Sequence, residues 1–165
     1  MQLPPSQPST VFGTLPLASF GGSLIIAIIT ALLTVRLALK RFYAEKWWER
    51  QSAAYESIFE ALHHVRNYAD TNLSFSLRGR ELPEEDEREL TEKLQGAMAE
   101  LRKQVDIGSF VLPESAIHVM VKFMSDLDES TKTTCWQEHL ELKLASVDSC
   151  LSSMRLIARQ DLRLK

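Results

Sequence analysis

Between Leu17 and Val35 the chain carries no charged residue. The centre of that run, LIIAIITALLTV from Leu24 to Val35, is apolar almost throughout. A helix apolar on every face is covered either by protein on all sides or by hydrocarbon. With Leu37 to Leu39 added the run reaches about 20 residues, enough to cross a hydrocarbon core of roughly 30 Å. Arg36 interrupts only its end, where a long side chain can snorkel toward the headgroups. A cleaved signal peptide shows the opposite order, with positive charge ahead of its apolar core and small-residue cleavage chemistry behind. Here the first 35 residues contain no Lys, Arg, Asp or Glu, and Arg36, Lys40 and Arg41 follow. The expectation is a retained transmembrane helix over residues 17–39.

The charge asymmetry also predicts a direction. Basic residues stay on the cytoplasmic side, which places the N-terminus outside and the C-terminus in the cytoplasm, across a bacterial inner (plasma) membrane. Residues 1–16 hold four of the six prolines and read as an extracytoplasmic tail with no fold of its own. Residues 40–50 read as a juxtamembrane collar. Phe42, Tyr43 and Trp47 suit the membrane–water interface, because aromatic rings combine an apolar body with a polar or polarisable edge. Arg36, Lys40, Arg41, Lys46 and Arg50 can meet anionic headgroups, at about 1 kcal/mol for each close contact. Trp48 is expected to differ and to open the core stripe of the following bundle.

Past the collar, Trp48, Tyr55, Ile58, Leu62, Val65 and Ala69 step by three and four, with only Gln51 polar in the series. No Pro or Gly lies between Ser23 and Asn72, so the membrane helix is expected to continue unbroken. A polar stretch with Asn72, Ser74, Ser76 and Gly79 should close it. LPEEDERELTEKLQ then opens a second helix. Pro83 suits its first turn, and Glu84 to Glu87 complement its N-terminal dipole. Leu90, Leu94, Ala97, Leu101 and Val105 form its apolar stripe. Gly108 and Pro113 bound a connection to a short third helix with Ile117, Met120, Val121, Met124 and Leu127 inward. A last helix, from about Cys135 to Leu162, carries Leu140, Leu144, Val147, Leu151, Met154 and Ala158.

The predicted fold is all-α: one N-terminal transmembrane helix continuing into a cytoplasmic antiparallel bundle of about four helices over residues 40–165. At 1.5 Å per residue the cytoplasmic helices run roughly 50 Å out, 34 back, 24 out and 45 back. The C-terminus then returns to the collar, where Arg155, Arg159, Arg163 and Lys165 become candidate lipid contacts. Ordinary dipole-complementing charge explains them equally well.

Catalytic signals are weak. Net charge of -3 gives no case for nucleic-acid binding. Glu60 and His63 have the Glu-x-x-His spacing of di-metal bundles, but that chemistry needs a second pair and two more carboxylates. Both also fall on the outward side of the heptad. No phosphate loop, dinucleotide fingerprint, nucleophile elbow or Cys-x-x-Cys occurs. No catalytic, cofactor-binding or metal residues are assigned. Cys135 and Cys150, if on one helix, lie roughly 22 Å apart, too far for a disulfide. Two unpaired thiols suit a reducing compartment. Association has more support. Ser19, Ser23, Ala27 and Ala31 repeat every four residues, a pattern that permits close helix approach and homo-oligomers in lipid.

Three stretches, KRFYAEKWWERQSAAYESIFEALHH, DIGSFVLPESA and the long final helix, resemble a recurring type of uncharacterised bacterial membrane-anchored helical protein. The resemblance spans most of the chain after residue 36 and implies no activity or catalytic residue. Where that pattern is charged after the Trp pair, this chain has Gln51 and Ser52. Two functions compete on this reading. The first is a membrane-anchored helical module for protein interaction or scaffolding, with a cytoplasmic or membrane protein as partner. The other is an oligomerising membrane effector, such as a toxin or phage-defence accessory, that perturbs the bilayer.

Overall fold

The computed structural model describes residues 17–108, 110–130, 132 and 134–162, with side chains from residue 26 onward. The tail 1–16 therefore lies outside the described residues. Four helices and no strand occur among them: α1 (Leu17–Leu77), α2 (Glu84–Gly108), α3 (Glu114–Ser130) and α4 (Trp136–Asp161). The chain divides into two units, residues 1–43 and 44–165, and α1 contributes to both.

In the second unit, apolar spacing becomes a core. Tyr55, Ile58, Leu62, Val65 and Ala69 are buried on α1, as their steps of three and four predict. Tyr55, Ile58, Leu62 and Val65 pack with Ala97 and Leu101 of α2, Met120 and Phe123 of α3, and Val147, Leu151 and Met154 of α4. Polar contacts along the helices set their directions. Gln51 and Tyr55 meet Asp161, Arg66 meets Asp148, and Ser76 meets Gln137, so α4 runs antiparallel to α1. Ser57 donates to Glu100 of α2 at 2.8 Å. His139 near the start of α4 meets the Ser130 carbonyl at the end of α3, at 2.7 Å. An all-helical antiparallel bundle is what the sequence predicts.

The turns follow local chemistry. α1 ends at Gly79, whose φ of 61° is accessible to glycine without strain. The Gly79 N–H donates to the Ser76 carbonyl and the Arg80 N–H to that of Phe75, both at 3.1 Å. This is the Schellman pattern. The polar residues expected to end the helix, Asn72 to Ser76, instead lie inside its last turns. The Asn72 amide donates within the helix to the Tyr68 carbonyl and the Ser76 hydroxyl accepts from Gln137 of α4, so polarity alone does not break the helix. Pro83 and Pro113 each sit just ahead of a helix, and their carbonyls accept the first helical N–H bonds.

Two expectations about burial need correction. Trp48 is not a core residue: it is 47% exposed, like Trp47 beside it. α4 stops at the level of Gln51, so among the described residues no helix covers a ring one turn earlier. On α3, Val121 is exposed, while Ala116 and Phe123 are buried with Met120 and Leu127. The buried ridge is displaced around the helix because α3 packs chiefly on α4, toward Cys150.

Candidate functional site

From Ile26 to Arg50 every residue of α1 is exposed. Ile28 and Ile29 are 52% and 51% exposed, although neighbours on a helix point about 100° apart. Leu32, Leu33, Val35, Leu37 and Leu39 are exposed too, so the apolar surface runs around the helix. The two threonine hydroxyls in this stretch turn inward to the backbone. Thr30 Oγ1 donates to the Ile26 carbonyl and Thr34 Oγ1 to that of Thr30, each at 2.8 Å. Such back-bonding satisfies a hydroxyl without water.

Among the described residues, no helix is long and apolar enough to cross a membrane. The span expected over 17–39 is thus not found there. Its residues 17–25 lie outside the described side chains, and the remainder soon meets Arg36, Lys40 and Arg41. Of the proposed self-association stripe, Ala27 and Ala31 are exposed, and Ser19 and Ser23 fall outside the described side chains.

The collar residues Arg36, Lys40, Arg41, Phe42, Tyr43, Lys46, Trp47 and Arg50 are all exposed. Phe42 and Tyr43 meet edge to face with ring centroids 6.1 Å apart. Lys46 is paired with Glu49, one turn on, at 2.6 Å. At half exposure that pair contributes at most about 1 kcal/mol.

One turn past the Trp pair, three segments converge. The Gln51 amide donates to Asp161 Oδ2 at 2.7 Å and to the Val111 carbonyl at 3.3 Å. The Tyr55 hydroxyl donates to the same carboxylate oxygen at 2.9 Å. Burial pushes the Tyr55 phenol well above its ordinary pKa, and the Asp161 carboxylate adds to the effect, so Tyr55 is a neutral donor. This network ties the C-terminal end of α4 and the α2–α3 connection to α1 beside the collar. The helix lengths anticipate the return of α4, and the sequence marks Gln51 as polar, but it does not pair Gln51 with Asp161. The available signal was a lone polar residue in an otherwise apolar a/d series, which commonly marks a specific buried partner. Arg155 and Arg159 are exposed on α4, and Arg163 and Lys165 lie outside the described residues.

No family model, no curated protein and no solved structure matches this chain.

The remaining candidate chemistry has structural explanations. Glu60 and His63 are exposed, and among the described residues no cluster of three His, Cys, Asp or Glu could hold a metal. Cys135 and Cys150 are free thiols, the first exposed and the second buried. Burial, with a smaller effect of Asp126, pushes the Cys150 thiol up to about 12, which holds it protonated near neutral pH. Lys143 lies 5.2 Å from the Tyr68 ring centroid, and burial lowers its pKa. An open groove of about 450 Å³ between α1 and α2 is lined by Ser57, Glu60, His64, Lys93 and Glu100. Gln104, Ser57 and Lys103 hydrogen-bond Glu100, which keeps that carboxylate below its usual pKa range.

Proposed function

We propose that this is a single-pass membrane protein, N-terminus outside, that presents a cytoplasmic helical bundle as a non-catalytic interaction or scaffolding module. One observation carries the reading: from Ile26 to Leu39 α1 is exposed on all sides and apolar apart from Thr30, Thr34 and Arg36, and none of the described residues covers it. Exposed apolar patches of more than a few hundred Å² are rare on monomeric soluble proteins, and lipid is the solvent that removes the penalty. The internally bonded Thr30 and Thr34 hydroxyls and the basic, aromatic collar support it. The bundle supports the module part, since burial accounts for the shifts of Tyr55, Lys143 and Cys150, and local hydrogen bonds account for that of Glu100.

The test is alkaline carbonate extraction of the full chain from bacterial membranes, with a C-terminal fluorescent reporter for orientation. The protein is expected to stay in the membrane pellet and the reporter to fluoresce. Release into the supernatant, or a dark reporter on abundant protein, contradicts the reading.

A further inference from the structure

An open cavity of about 390 Å³ lies where the end of α1, the turn after it, and the starts of α2 and α4 meet. Small-molecule sites commonly fall at about 300–1,000 Å³. Phe75, Leu82 and Trp136 give this one apolar walls, and Arg80, Glu81 and Glu87 give it charge.

The walls are held in place. Trp136 stacks on His139, with ring centroids 5.5 Å apart and an interplanar angle of 26°. His139 Nδ1 in turn donates to the Ser130 carbonyl at 2.7 Å. The Gln137 amide donates to the Ser76 hydroxyl at 3.2 Å, which ties the start of α4 to the last turn of α1. The Arg80 N–H donates to the Phe75 carbonyl, so the Gly79 turn fixes where the Arg80 side chain leaves the backbone. Burial raises the Tyr68 pKa and the Glu87 charge adds to it, so the Glu87 carboxylate lies near α1. The three charged groups, by contrast, have no ion-pair partner among the described residues.

This set of groups selects a ligand by elimination. An anion leaves Glu81 and Glu87 facing like charge, and a cation does the same to Arg80. A neutral apolar molecule covers three charged groups and pairs none, which costs their solvation. A zwitterion with an apolar body satisfies all of them. Its ammonium has three donors for two carboxylates, and its carboxylate suits the guanidinium fork.

We propose that this cavity binds a free α-amino acid with a large apolar or aromatic side chain. Arg80 takes its carboxylate, Glu81 and Glu87 take its ammonium, and Phe75, Leu82 and the braced Trp136 ring take its side chain. The site lies within residues 72–139 of the bundle and does not depend on the membrane reading.

The test is equilibrium dialysis of the full chain in detergent against radiolabelled L-phenylalanine, with unlabelled compounds as competitors. Saturable binding is expected, and glycine, which has no side chain, should compete at least about tenfold more weakly. Arg80→Gln should weaken L-phenylalanine about tenfold but should not weaken phenylalaninamide, which has no carboxylate. The double variant Glu81→Gln, Glu87→Gln should weaken L-phenylalanine likewise but should not weaken N-acetylphenylalanine, which has no ammonium. All three side chains are exposed, so these variants keep the fold. Glu114→Gln, on α3 outside the cavity, is the control and should change nothing. No saturable binding, or glycine competing as well as L-phenylalanine, overturns the proposal. So does an Arg80→Gln loss shared by phenylalaninamide, a double-variant loss shared by N-acetylphenylalanine, or full-strength binding in either variant.

Discussion

Ile28 and Ile58 are the same residue on the same helix, yet one is 52% exposed and the other fully buried. The difference lies in their neighbours along the chain. Around Ile58 the apolar residues recur every three or four positions, and charged residues fill the intervening faces. That arrangement specifies one buried stripe and one wet face, which three other helices can satisfy. Around Ile28 every face is apolar, and no small bundle can cover a helix on all sides. Among the described residues α1 thus packs against protein along only part of its length, and the pattern of hydrophobicity, more than its amount, decides which part.

The largest effect should separate the two halves directly. Leu62→Ala opens a cavity in the core and should cost about 2–5 kcal/mol of bundle stability, read by chemical denaturation in detergent. Leu32→Ala, in the exposed half, should change the same measurement by less than about 0.5 kcal/mol. Equal losses would mean that both halves pack against protein.

A smaller effect concerns pH. The Cys150 thiol has its folded pKa raised from 9.0 to about 12. Below pH 9 it is protonated in both states and contributes no pH dependence. Above pH 9 the unfolded chain loses the proton first, so stability should fall as pH rises toward 12. Cys150→Ala should flatten part of that decline while leaving the slope below pH 9 unchanged. An unaltered alkaline slope would show that Cys150 is not shielded as its burial implies.

The smallest effect belongs to the surface. Arg66 and Asp148 pair at 2.7 Å between α1 and α4, but both are about half exposed. Arg66→Ala should cost no more than about 1 kcal/mol, and less at high salt. A larger loss would place this pair in a drier interface than the comparison of the two halves allows.

Much of the bundle was legible in the sequence because amphipathic spacing is a local property. Leu140, Val147, Leu151, Met154 and Ala158 are buried on α4 as their spacing predicts. The errors arise where spacing is compatible with two answers. On α3, Ile117–Met120–Val121–Met124 and Ala116–Met120–Phe123–Leu127 are both helical ridges, and the position of α4 selects the second. Trp48 fits a heptad, but a heptad does not state where the partner helix ends. The Gln51–Tyr55–Asp161 network joins residues more than a hundred positions apart, and no local pattern connects them. The exposed basic and aromatic residues of 40–50 are visible in the sequence as a cluster because they lie close together along the chain.

The central claim is that the exposed half of α1 is solvated by lipid. Spin labels at Ile28 and Leu33, with Glu56 as the water-exposed control, test it in vesicles by their accessibility to oxygen and to a water-soluble nickel complex. The labels are placed in a chain carrying Cys135→Ser and Cys150→Ala. Labels at 28 and 33 should meet oxygen freely and exclude nickel, while the label at 56 should meet nickel. Nickel access at 28 and 33 equal to that at 56, or exclusion of both reagents there, would contradict the account.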